Sequence, residues 1–426
     1  MKPSNYTFIL NTEDHKYWYN VLSHSFFRLS KELGEKIEHL YKDIDNLQKV
    51  SPSFYKKLID GRFIIEDEYD ELNEIRKNHH NNVHKKDYFL IILPTLNCNY
   101  KCWYCIQDHI PSAMSDSTME AVKRHIDYMI DVKKIDSLHL EWFGGEPFML
   151  FNKVIIPVSN YAIKKCEAKG IPFENSATTN GYFISPKISN KLTDLKFSQF
   201  QITLDGEKKF HDDVKFTKGC VSTFEHVLEN INHILEHNES INIILRINYT
   251  HTSLTKGIVD EVNNFISSTV RKRITIVPKK VWQENSDKSF NHVIIDILDL
   301  FSQSGYGVER WHPNANFLPC YVNSEFYNTI SYNGHAHKCT ACDDLYEKNP
   351  KGVLMPNGII EWKDDFDRQC QQATFENERC LACKILPVCM GLCPRDFISG
   401  KTYCKYDHID EDFETTLLHH LIHQYD

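Results

Sequence analysis

Apolar runs alternate with amphipathic stretches through the middle of the chain, from residue 87 to about residue 310. Phe89–Leu93 is continuously apolar, which is typical of a strand buried on both faces of a parallel sheet. Similar segments predict further strands at 138–143, immediately before Thr178, at 199–204, at 241–249 and at 273–277. Helical spacing predicts intervening helices at 153–170, along 224–235 and near 292–301. These six or so βα units predict an α/β fold, a partial (β/α)6 TIM-like barrel with its chemistry at the C-terminal ends of the strands.

Two of the predicted helices begin with a capping box, in which a serine and a glutamate three residues later satisfy free backbone N–H groups. The first box joins Ser117 to Glu120, and the second joins Ser222 to Glu225. We therefore expect helices to start at these two serines.

The flanking regions have a different character. Residues 1–85 hold no cysteine and predict a small α+β domain with a hairpin at 16–28 and helices at 31–41 and 51–61. The polar segment 78–84 predicts a linker. Residues 311–426 lose the alternation and are loop-rich and dense in cysteine. The predicted domains are 1–85, 86–310 and 311–426.

Composition is ordinary for a globular chain of 426 residues, with 41% hydrophobic and 25% charged residues. The longest apolar run is far shorter than the roughly 20 residues of a membrane span, and no secretion signal is visible at the N-terminus. The net charge of −9 disfavours a broad nucleic-acid surface. We expect a cytoplasmic protein with neither a membrane nor a nucleic acid as partner.

The 14 cysteines are clustered. Three lie at 98, 102 and 105, nine lie between 320 and 404, and Cys166 and Cys220 stand alone. In a reducing cytosol such clusters bind metal or perform chemistry more often than they form disulfides.

The first cluster, Cys98-x3-Cys102-x2-Cys105, follows directly after the first predicted strand of the sheet. Four thiolates would close a [4Fe–4S] cluster, whereas three leave one iron without a protein ligand. That iron can bind a small molecule through an amine and a carboxylate. Zinc sites favour paired cysteine hooks over this triple spacing.

This loop, with Tyr104 before its last cysteine, resembles the signature of the radical S-adenosylmethionine (SAM) superfamily. Gly144-Gly145-Glu146-Pro147, after the second strand, resembles the family motif that holds the SAM amino group. The resemblance implies SAM and a [4Fe–4S] cluster as cofactors. It also implies reductive cleavage of SAM to methionine and a 5′-deoxyadenosyl radical, which abstracts hydrogen from the substrate.

Further segments are similar to the family. Thr179-Asn180-Gly181 resembles its segment on the ribose and methionine side of SAM. Leu204-Asp205-Gly206 with His211-Asp212 resembles a segment of members that modify peptides and proteins. An arginine in those members can pair with the SAM carboxylate. Lys215 stands in its place here, and Arg246 is the alternative.

The C-terminal cysteines resemble the SPASM extension of such enzymes, which holds two auxiliary [4Fe–4S] clusters. The resemblance assigns Cys320, Cys339 and Cys393 to auxiliary cluster I. Cys342 is the candidate fourth ligand of that cluster and Cys370 the runner-up. Auxiliary cluster II takes four cysteines: Cys380, Cys383, Cys389 and Cys404.

Two branches of the family are candidates. Anaerobic sulfatase-maturating enzymes oxidise cysteine or serine to formylglycine and tend to carry an aspartate base where Thr340 stands here; Asp343 and Asp344 could supply a base instead. Maturases of ribosomally made peptides often add an N-terminal, winged-helix-like domain that binds the leader of the precursor, as residues 1–85 could do.

We expect an oxidoreductase of the second branch, which forms a C–S (thioether) or C–C cross-link in a precursor peptide. Its electrons would come from an external flavodoxin- or ferredoxin-type reductant. A sulfatase maturase, a SPASM enzyme acting on a small molecule and a non-catalytic iron–sulfur or zinc module are the alternatives.

Overall fold

The computed structural model describes residues 1–284, 290–310, 319–341, 350–404 and 413–425. The chain divides into two compact units. The first unit contains residues 1–85, 310–325 and 368–426, and the second contains residues 86–309 and 326–367. The division into three domains stays a prediction. No helix of the described residues is long and apolar enough to cross a membrane.

The described secondary structure follows in chain order. The strands are β1 (Lys2–Pro3), β2 (Thr7–Asn11), β3 (His15–Asn20), β4 (Phe26–Ser30), β5 (Ile64–Ile65), β6 (Asp87–Leu93), β7 (Ser137–Trp142), β8 (Phe173–Thr179), β9 (Phe197–Asp205), β10 (Asn242–Tyr249), β11 (Ile274–Lys280), β12 (Gly307–Val308), β13 (Tyr327–Ser331), β14 (His335–His337), β15 (Gly352–Leu354) and β16 (Ile360–Trp362). The α-helices are α1 (Lys31–Tyr41), α2 (Ile44–Val50), α3 (Pro52–Asp60), α4 (Glu71–Val83), α5 (Asp116–Tyr128), α6 (Ile156–Lys169), α7 (Ser189–Asp194), α8 (Lys208–Val214), α9 (Thr223–His237), α10 (Ile258–Asn263), α11 (Asn291–Gln303), α12 (Phe366–Cys370), α13 (Glu378–Leu381), α14 (Leu386–Cys389), α15 (Pro394–Ile398) and α16 (Phe413–Tyr425). Short 3-10 and π turns add Met129–Lys133, Pro147–Leu150, Phe151–Ile155, Pro186–Ile188, Arg271–Arg273, Tyr321–Asn323 and Lys363–Asp365.

A large mixed sheet organises the second unit. Its strand order is β12-β11-β10-β9-β8-β7-β6-β13-β14-β15-β16. Strands β6 to β11 are parallel and lie side by side in chain order, and β13 adds a parallel strand beside β6. The α/β class is confirmed, while the curvature of β6–β11 into a partial (β/α)6 barrel stays a prediction.

Strands β13 to β16 were not predicted, because this stretch was expected to be loop-rich. Each is only three to five residues long, too short for alternation to stand out from its surroundings. They extend the large sheet beyond the predicted βα units, through antiparallel pairing from β13 onward.

Alternation along β7 shows how the sheet divides its residues between two faces. Leu138, Leu140 and Trp142 are buried in the main hydrophobic core, which the helices also line. His139 and Glu141 point to the other face and remain partly exposed. Burial of the apolar row anchors the strand, so the register of the polar row is fixed at the same time.

The helix boundaries agree with the predictions in part. Ser222 caps α9 by accepting a hydrogen bond from the Glu225 N–H, as predicted. The capping box at Ser117 is wrong, because Ser115 accepts the hydrogen bond from the Thr118 N–H and α5 starts at Asp116.

The predicted linker at residues 78–84 is also wrong. Residues 78–83 form the end of α4, whose N-terminus is capped by Asp70. Ile75 and Val83 are buried on one side of this helix. His79 is buried with them, and the other polar residues of the segment lie toward the exposed side of a surface helix.

The first unit contains an antiparallel sheet in the order β2-β3-β4, followed by α1, α2 and α3. The hairpin and both helices predicted for residues 1–85 are confirmed. The sheet does not form its core alone. Its buried aromatic residues, including Tyr6 and Phe8, share a hydrophobic cluster with Phe375, Leu417 and Leu421 near the C-terminus.

Candidate functional site

The three-cysteine loop leaves the C-terminal end of β6. The Tyr100 N–H donates to the Cys98 Sγ at 3.4 Å, and the Cys105 N–H donates to the Cys102 carbonyl at 3.1 Å. These short-range bonds fold residues 98–105 into turns, which keeps the three thiols on one compact segment.

The Gly144–Glu146 turn, at the end of β7, packs against this loop. The Gly145 N–H donates to the Thr95 carbonyl at 3.1 Å, and the Glu146 N–H donates to the Asn97 carbonyl at 2.9 Å. A Cβ on Gly144 would lie 2.4 Å from the Thr95 oxygen, and one on Gly145 would lie 2.2 Å from the Asn97 oxygen. The two glycines are therefore required for contact with the cysteine loop itself.

Glu146 links the ends of β7 and β8. Its fully buried carboxylate accepts hydrogen bonds from the Thr179 hydroxyl at 2.8 Å and from the Asn180 N–H at 2.8 Å. Burial raises the pKa of Glu146 to about 7, although these hydrogen bonds lower it. The Asn180 amide in turn donates to the Asn99 Oδ1 at 2.8 Å and to the Cys98 Sγ at 3.7 Å. Asn180 thus connects the third predicted motif to the cysteine loop.

A second polar group surrounds Asp205 at the end of β9. The Tyr104 hydroxyl donates to the Asp205 Oδ1 at 2.5 Å, and the Lys215 ammonium lies 3.4 Å from the Asp205 Oδ2. Lys215 is buried, which excludes a surface role, and it also donates to the Thr203 carbonyl at 2.6 Å. Burial and then the charge of Asp205 raise the pKa of Tyr104, so its hydroxyl keeps its proton.

Arg246 belongs to the same group. It is partly buried on β10, and its Nε donates to the Asn248 Oδ1 at 2.8 Å. The Asn248 amide lies 3.5 Å from the Asp205 Oδ1. The guanidinium has further donors beyond Nε for an anionic ligand.

His211 and Asp212 have structural contacts in the described chain. The Asp205 N–H donates to the His211 Nδ1 at 3.2 Å, and burial holds the pKa of His211 well below its ordinary value. Asp212 accepts hydrogen bonds from the Thr223 hydroxyl and the Phe224 N–H at the start of α9.

The donor set of the loop fits an iron–sulfur cluster. Burial raises the pKa of Cys98 to about 12 and that of Cys102 to about 11, and the nearby thiolates of the loop add to the first shift. Burial raises the pKa of Cys105 as well, and the charge of Lys215 opposes the rise at Cys102 and at Cys105. Among the described side chains, no three of His, Cys, Asp or Glu converge as a single metal ion requires. A cubane binds each thiolate at a different iron, so its ligands need not converge on one point.

The C-terminal cysteines fall into separate groups. The Cys383 N–H donates to the Cys380 carbonyl at 3.0 Å. Burial raises the pKa of Cys383, and the charges of Cys404 and Cys380 add to the rise. Cys320 and Cys393 are exposed and belong to the first unit, whereas Cys339 is buried and belongs to the second. Cys370 is fully buried. Cys342, Asp343 and Asp344 lie outside the described residues.

Several polar residues next to the predicted ones were given no role from the sequence. Asn99 receives the Asn180 hydrogen bond, and the Gln283 amide donates to the Tyr104 carbonyl at 3.0 Å. Glu141 stands three residues before Gly144 and joins a hydrogen-bonded row across β7 and β8. The sequence signal for Glu141 was its place in the polar row of an alternating strand, immediately before the Gly144–Glu146 turn.

Comparisons with known proteins agree with this site. Residues 92–254 match the model of the Radical SAM superfamily. A serine-type anaerobic sulfatase-maturating enzyme of Bacteroides thetaiotaomicron is 24% identical over 163 residues, 35% of this chain and 37% of that relative. The match thus spans little more than a third of that protein.

Two solved structures resemble the fold. AnSMEcpe with bound AdoMet and the Kp18Cys peptide has a TM-score of 0.53 and 17% identity over 79% of this chain and 97% of its own. SuiB of Streptococcus suis bound to the precursor peptide SuiA has a TM-score of 0.51 and 15% identity over 94% and 97%. At such identities these likenesses establish the fold.

The matched region contains the cysteine loop, the Gly144–Glu146 turn, Asn180, Lys215 and Arg246. The predicted resemblance to radical SAM maturases is therefore confirmed. A radical SAM domain implies SAM and a [4Fe–4S] cluster as cofactors.

Proposed function

We propose that this chain is a radical SAM peptide maturase that forms a C–S or C–C cross-link in a ribosomally made precursor peptide. One observation carries the proposal. The three-cysteine loop is hydrogen-bonded to the Gly144–Glu146 turn and to Asn180, so the ends of β6, β7 and β8 build one site.

Separate groups of residues would bind the cluster and SAM. Cys98, Cys102 and Cys105 would hold the cluster, which when bound supplies the electron that cleaves SAM. The carbonyls of the Gly144–Pro147 turn would accept the SAM ammonium, because the Glu146 carboxylate is already committed to Thr179 and Asn180.

The remaining polar residues would orient the rest of SAM. Lys215 and Arg246 would attract its carboxylate, with Arg246 offering the planar donors that Lys215 lacks. Tyr104, Thr179 and Asn180 would line the site, since each is held by a hydrogen bond to a neighbouring strand end.

SAM cleavage is the first test. Replacing Cys98, Cys102 and Cys105 by alanine should abolish the formation of 5′-deoxyadenosine from SAM under reducing, oxygen-free conditions. Cys166→Ala is a matched control, because this buried thiol lies in the core of the second unit. Nucleoside formation by the triple variant would refute the assignment. A reconstituted wild type that forms none would favour a non-catalytic iron–sulfur module.

A peptide substrate is supported by the first unit. The SuiB structure with bound precursor peptide covers 94% of this chain, so that likeness extends beyond the radical SAM region. Strand β4 pairs with β3 at one side of the β2-β3-β4 sheet and is an edge strand of it. A leader could add a strand there through main-chain hydrogen bonds.

Amide hydrogen exchange tests leader binding on the intact chain. A precursor peptide, if a short reading frame beside this gene encodes one, should slow exchange at residues 26–30 by tenfold or more. The same peptide without its leader should leave this exchange unchanged. Equal protection by both peptides, or none by either, would exclude the leader role of β4.

A sulfatase-maturating activity is the second candidate, because the curated relative carries that name. The two activities differ in their product. Incubation with the precursor should yield a cross-linked peptide lighter by two hydrogens, whereas a sulfatase-derived peptide should yield formylglycine. Mass spectrometry of both peptides distinguishes them, and formylglycine alone would replace the first proposal.

We also propose the two auxiliary clusters. Cys380, Cys383, Cys389 and Cys404 would hold one, supported by the hydrogen bond from the Cys383 N–H to the Cys380 carbonyl and by the influence of Cys404 on the pKa of Cys383. Cys320, Cys339 and Cys393 would hold the other, with Cys342 or Cys370 as fourth ligand. Asp343 or Asp344 would be a base, and a flavodoxin or ferredoxin of the reducing cytoplasm would deliver electrons.

A further inference from the structure

The face of the sheet opposite the main core carries a band of polar side chains. We call this surface the polar face, and its partly exposed members include Glu141, Thr178, Gln201, Thr203 and Arg246. They belong to four adjacent parallel strands, β7 to β10. Such a face can contact a polar substrate, because its side chains keep accessible surface.

A row of hydrogen bonds crosses this face between β7 and β8. The Glu141 carboxyl is bonded to the Ser176 hydroxyl and, at 2.8 Å, to the Thr178 hydroxyl. Ser176 is also bonded to the His139 Nε2 at 2.5 Å, and the His139 Nδ1 lies 2.8 Å from the Glu174 Oε1. The row runs from Glu141 to a carboxylate whose side chain is 50% exposed.

The same heavy atoms accommodate two positions of one proton. With Glu141 protonated, its O–H donates to Ser176, the Ser176 hydroxyl donates to the His139 Nε2, and the imidazole is neutral. With Glu141 ionised, Ser176 donates to Glu141 and accepts from the His139 Nε2–H, and the imidazole is charged. In both states the His139 Nδ1–H donates to Glu174. The proton therefore moves between Glu141 and His139 without any rearrangement of side chains.

We propose that Glu141 accepts a proton from the peptide substrate and passes it through Ser176 to His139. Glu174, at the exposed end, stabilises the imidazolium and returns the proton to solvent. This relay rests on the proposed function, since formation of a cross-link releases a proton from the substrate.

The step is an acid–base transfer. The bond between hydrogen and the substrate atom breaks heterolytically, the electron pair stays on that atom, and an O–H bond forms on Glu141. Ser176 then gives up one proton as it gains another, so its own charge does not change.

The position of Glu141 suits this role. It lies three residues before Gly144, about 10 Å along an extended strand from the turn that packs on the cysteine loop. Glu141 therefore stands on the strand that leads directly into the site.

The protonation of Glu141 is also poised near neutrality. Burial raises its pKa to about 7, while the Ser176 and Thr178 hydroxyls lower it. Its directly paired neighbour on β6 is Ile91, which is apolar. Among the described residues, the titratable groups of this row are His139 on the same strand and Glu174 on β8. Burial lowers the pKa of His139, and the charge and hydrogen bond of Glu174 oppose this shift.

Titration of the full chain without substrate is the first test. Infrared difference spectra of the wild type minus Glu141→Gln should show one carboxyl that titrates within about one unit of pH 7. The ¹⁵N shifts of His139, assigned with His139→Gln, should titrate together with this carboxyl, and Ser176→Ala should uncouple the two. Two results would overturn the relay. One is a measured pKa of Glu141 near the ordinary value of a glutamate. The other is a titration curve of His139 that Ser176→Ala leaves unchanged.

Turnover is the second test, with SAM, dithionite and a precursor peptide that slows amide exchange at residues 26–30. The ratio of cross-linked product to 5′-deoxyadenosine should fall at least tenfold in Glu141→Gln and in Ser176→Ala. Thr178→Val is the matched variant, because it removes the other hydroxyl on the same carboxyl without cutting the row, and its ratio should fall less than threefold.

The outcomes separate the relay from the function on which it rests. A wild type that forms no 5′-deoxyadenosine would refute the proposed function. A wild type that forms product, with equal ratios in Glu141→Gln and Ser176→Ala, would refute the relay alone. If the ratio of product to 5′-deoxyadenosine fell equally in Ser176→Ala and Thr178→Val, Ser176 would have only a structural role. That result would also overturn the relay.

Discussion

At the scale of single residues, most polar groups of the candidate site hold one another in place. Glu146 joins the ends of β7 and β8, Asn180 joins β8 to the cysteine loop, and Tyr104 joins that loop to Asp205 on β9. Each is a connection between strand ends that are distant in sequence. The sequence motifs identified these residues and predicted that they contact SAM. In the structure, several of their polar atoms are hydrogen-bonded to neighbouring protein groups instead.

Gly145→Ala tests the close approach of the turn to the loop. A Cβ there would lie 2.2 Å from the Asn97 oxygen, which no side-chain movement can relieve. The variant should lose more than half of the iron bound at the Cys98–Cys105 loop on reconstitution, measured in a chain whose C-terminal cysteines are alanine. Gly257→Ala is the control, since its nearest neighbours are 3.3 Å away or farther. Normal iron binding by Gly145→Ala would show that the loop does not depend on this contact.

Glu141→Gln should change the pH dependence of stability. The pKa of Glu141 is raised to about 7, so between about pH 4.5 and pH 7 the folded chain binds more protons than the unfolded chain. The contribution of Glu141 to stability therefore falls as the pH rises through that window. The variant should match the wild-type Tm at pH 5 and exceed it by a few degrees at pH 8. Glu174→Gln, at the exposed end of the row, is the comparison. A constant difference in Tm across this range would contradict a raised pKa.

At the scale of elements, helix starts show where sequence patterns are ambiguous. Ser115 stands immediately before α5 and Ser117 lies in its first turn, so two serines are candidates for the cap. Glu120, the partner expected for Ser117, instead forms an ion pair with Lys123 at 2.7 Å. The geometry of the chain entering the helix selects Ser115, and spacing alone does not encode that geometry.

Substitution of the two serines tests this selection. Ser115→Ala should destabilise the folded chain by about 1 kcal/mol, the usual cost of losing an N-cap, whereas Ser117→Ala should cost only a few tenths. Urea unfolding of both variants, followed through the second unit, gives the comparison. If Ser117→Ala were the less stable variant, the predicted capping box at Ser117 would be correct.

Strands divide in the same way into predictable and unpredictable ones. Strands β6 to β11 are six to nine residues long, and the sequence located each of them. All except β8 carry a buried apolar row. Strands β13 to β16 are shorter, and their pairing depends on neighbours far away in the chain. The local sequence pattern does not show which distant strand will pair with a short segment. These four strands were therefore not predicted from the sequence.

At the scale of the whole molecule, the two units are not consecutive segments of the chain. The cluster that contains Tyr6 and Phe8 is completed by Leu417 and Leu421. Deleting residues 1–85 would therefore expose apolar surface at the C-terminus, and a truncated chain is a poor test of leader binding. Exchange measurements on the intact chain avoid this loss of core.

Iron content tests the cofactors of the whole chain. Three cubane clusters require about 12 irons per chain, and the triple-alanine variant at Cys98, Cys102 and Cys105 should keep about eight. Anaerobic reconstitution followed by metal analysis gives both values. A wild type with about four irons and with zinc at the remaining cysteines would exclude the two auxiliary clusters.

The sequence by itself determined the α/β class, the order of the parallel strands and the motifs that resemble radical SAM maturases. It could do so because buried strands and metal-ligating loops leave local patterns of apolar residues and cysteines. Only the tertiary structure decided which residues contact one another across strands. The contact of Glu146 with Asn180 and the row from Glu141 to Glu174 depend on register between β7 and β8, which is fixed by burial of the opposite face. The contact of Tyr104 with Asp205 depends on the path of the cysteine loop. Only the tertiary structure shows that the N- and C-terminal segments share one core. Apolar surface is buried wherever the folded chain brings another apolar surface to it, at any distance along the sequence.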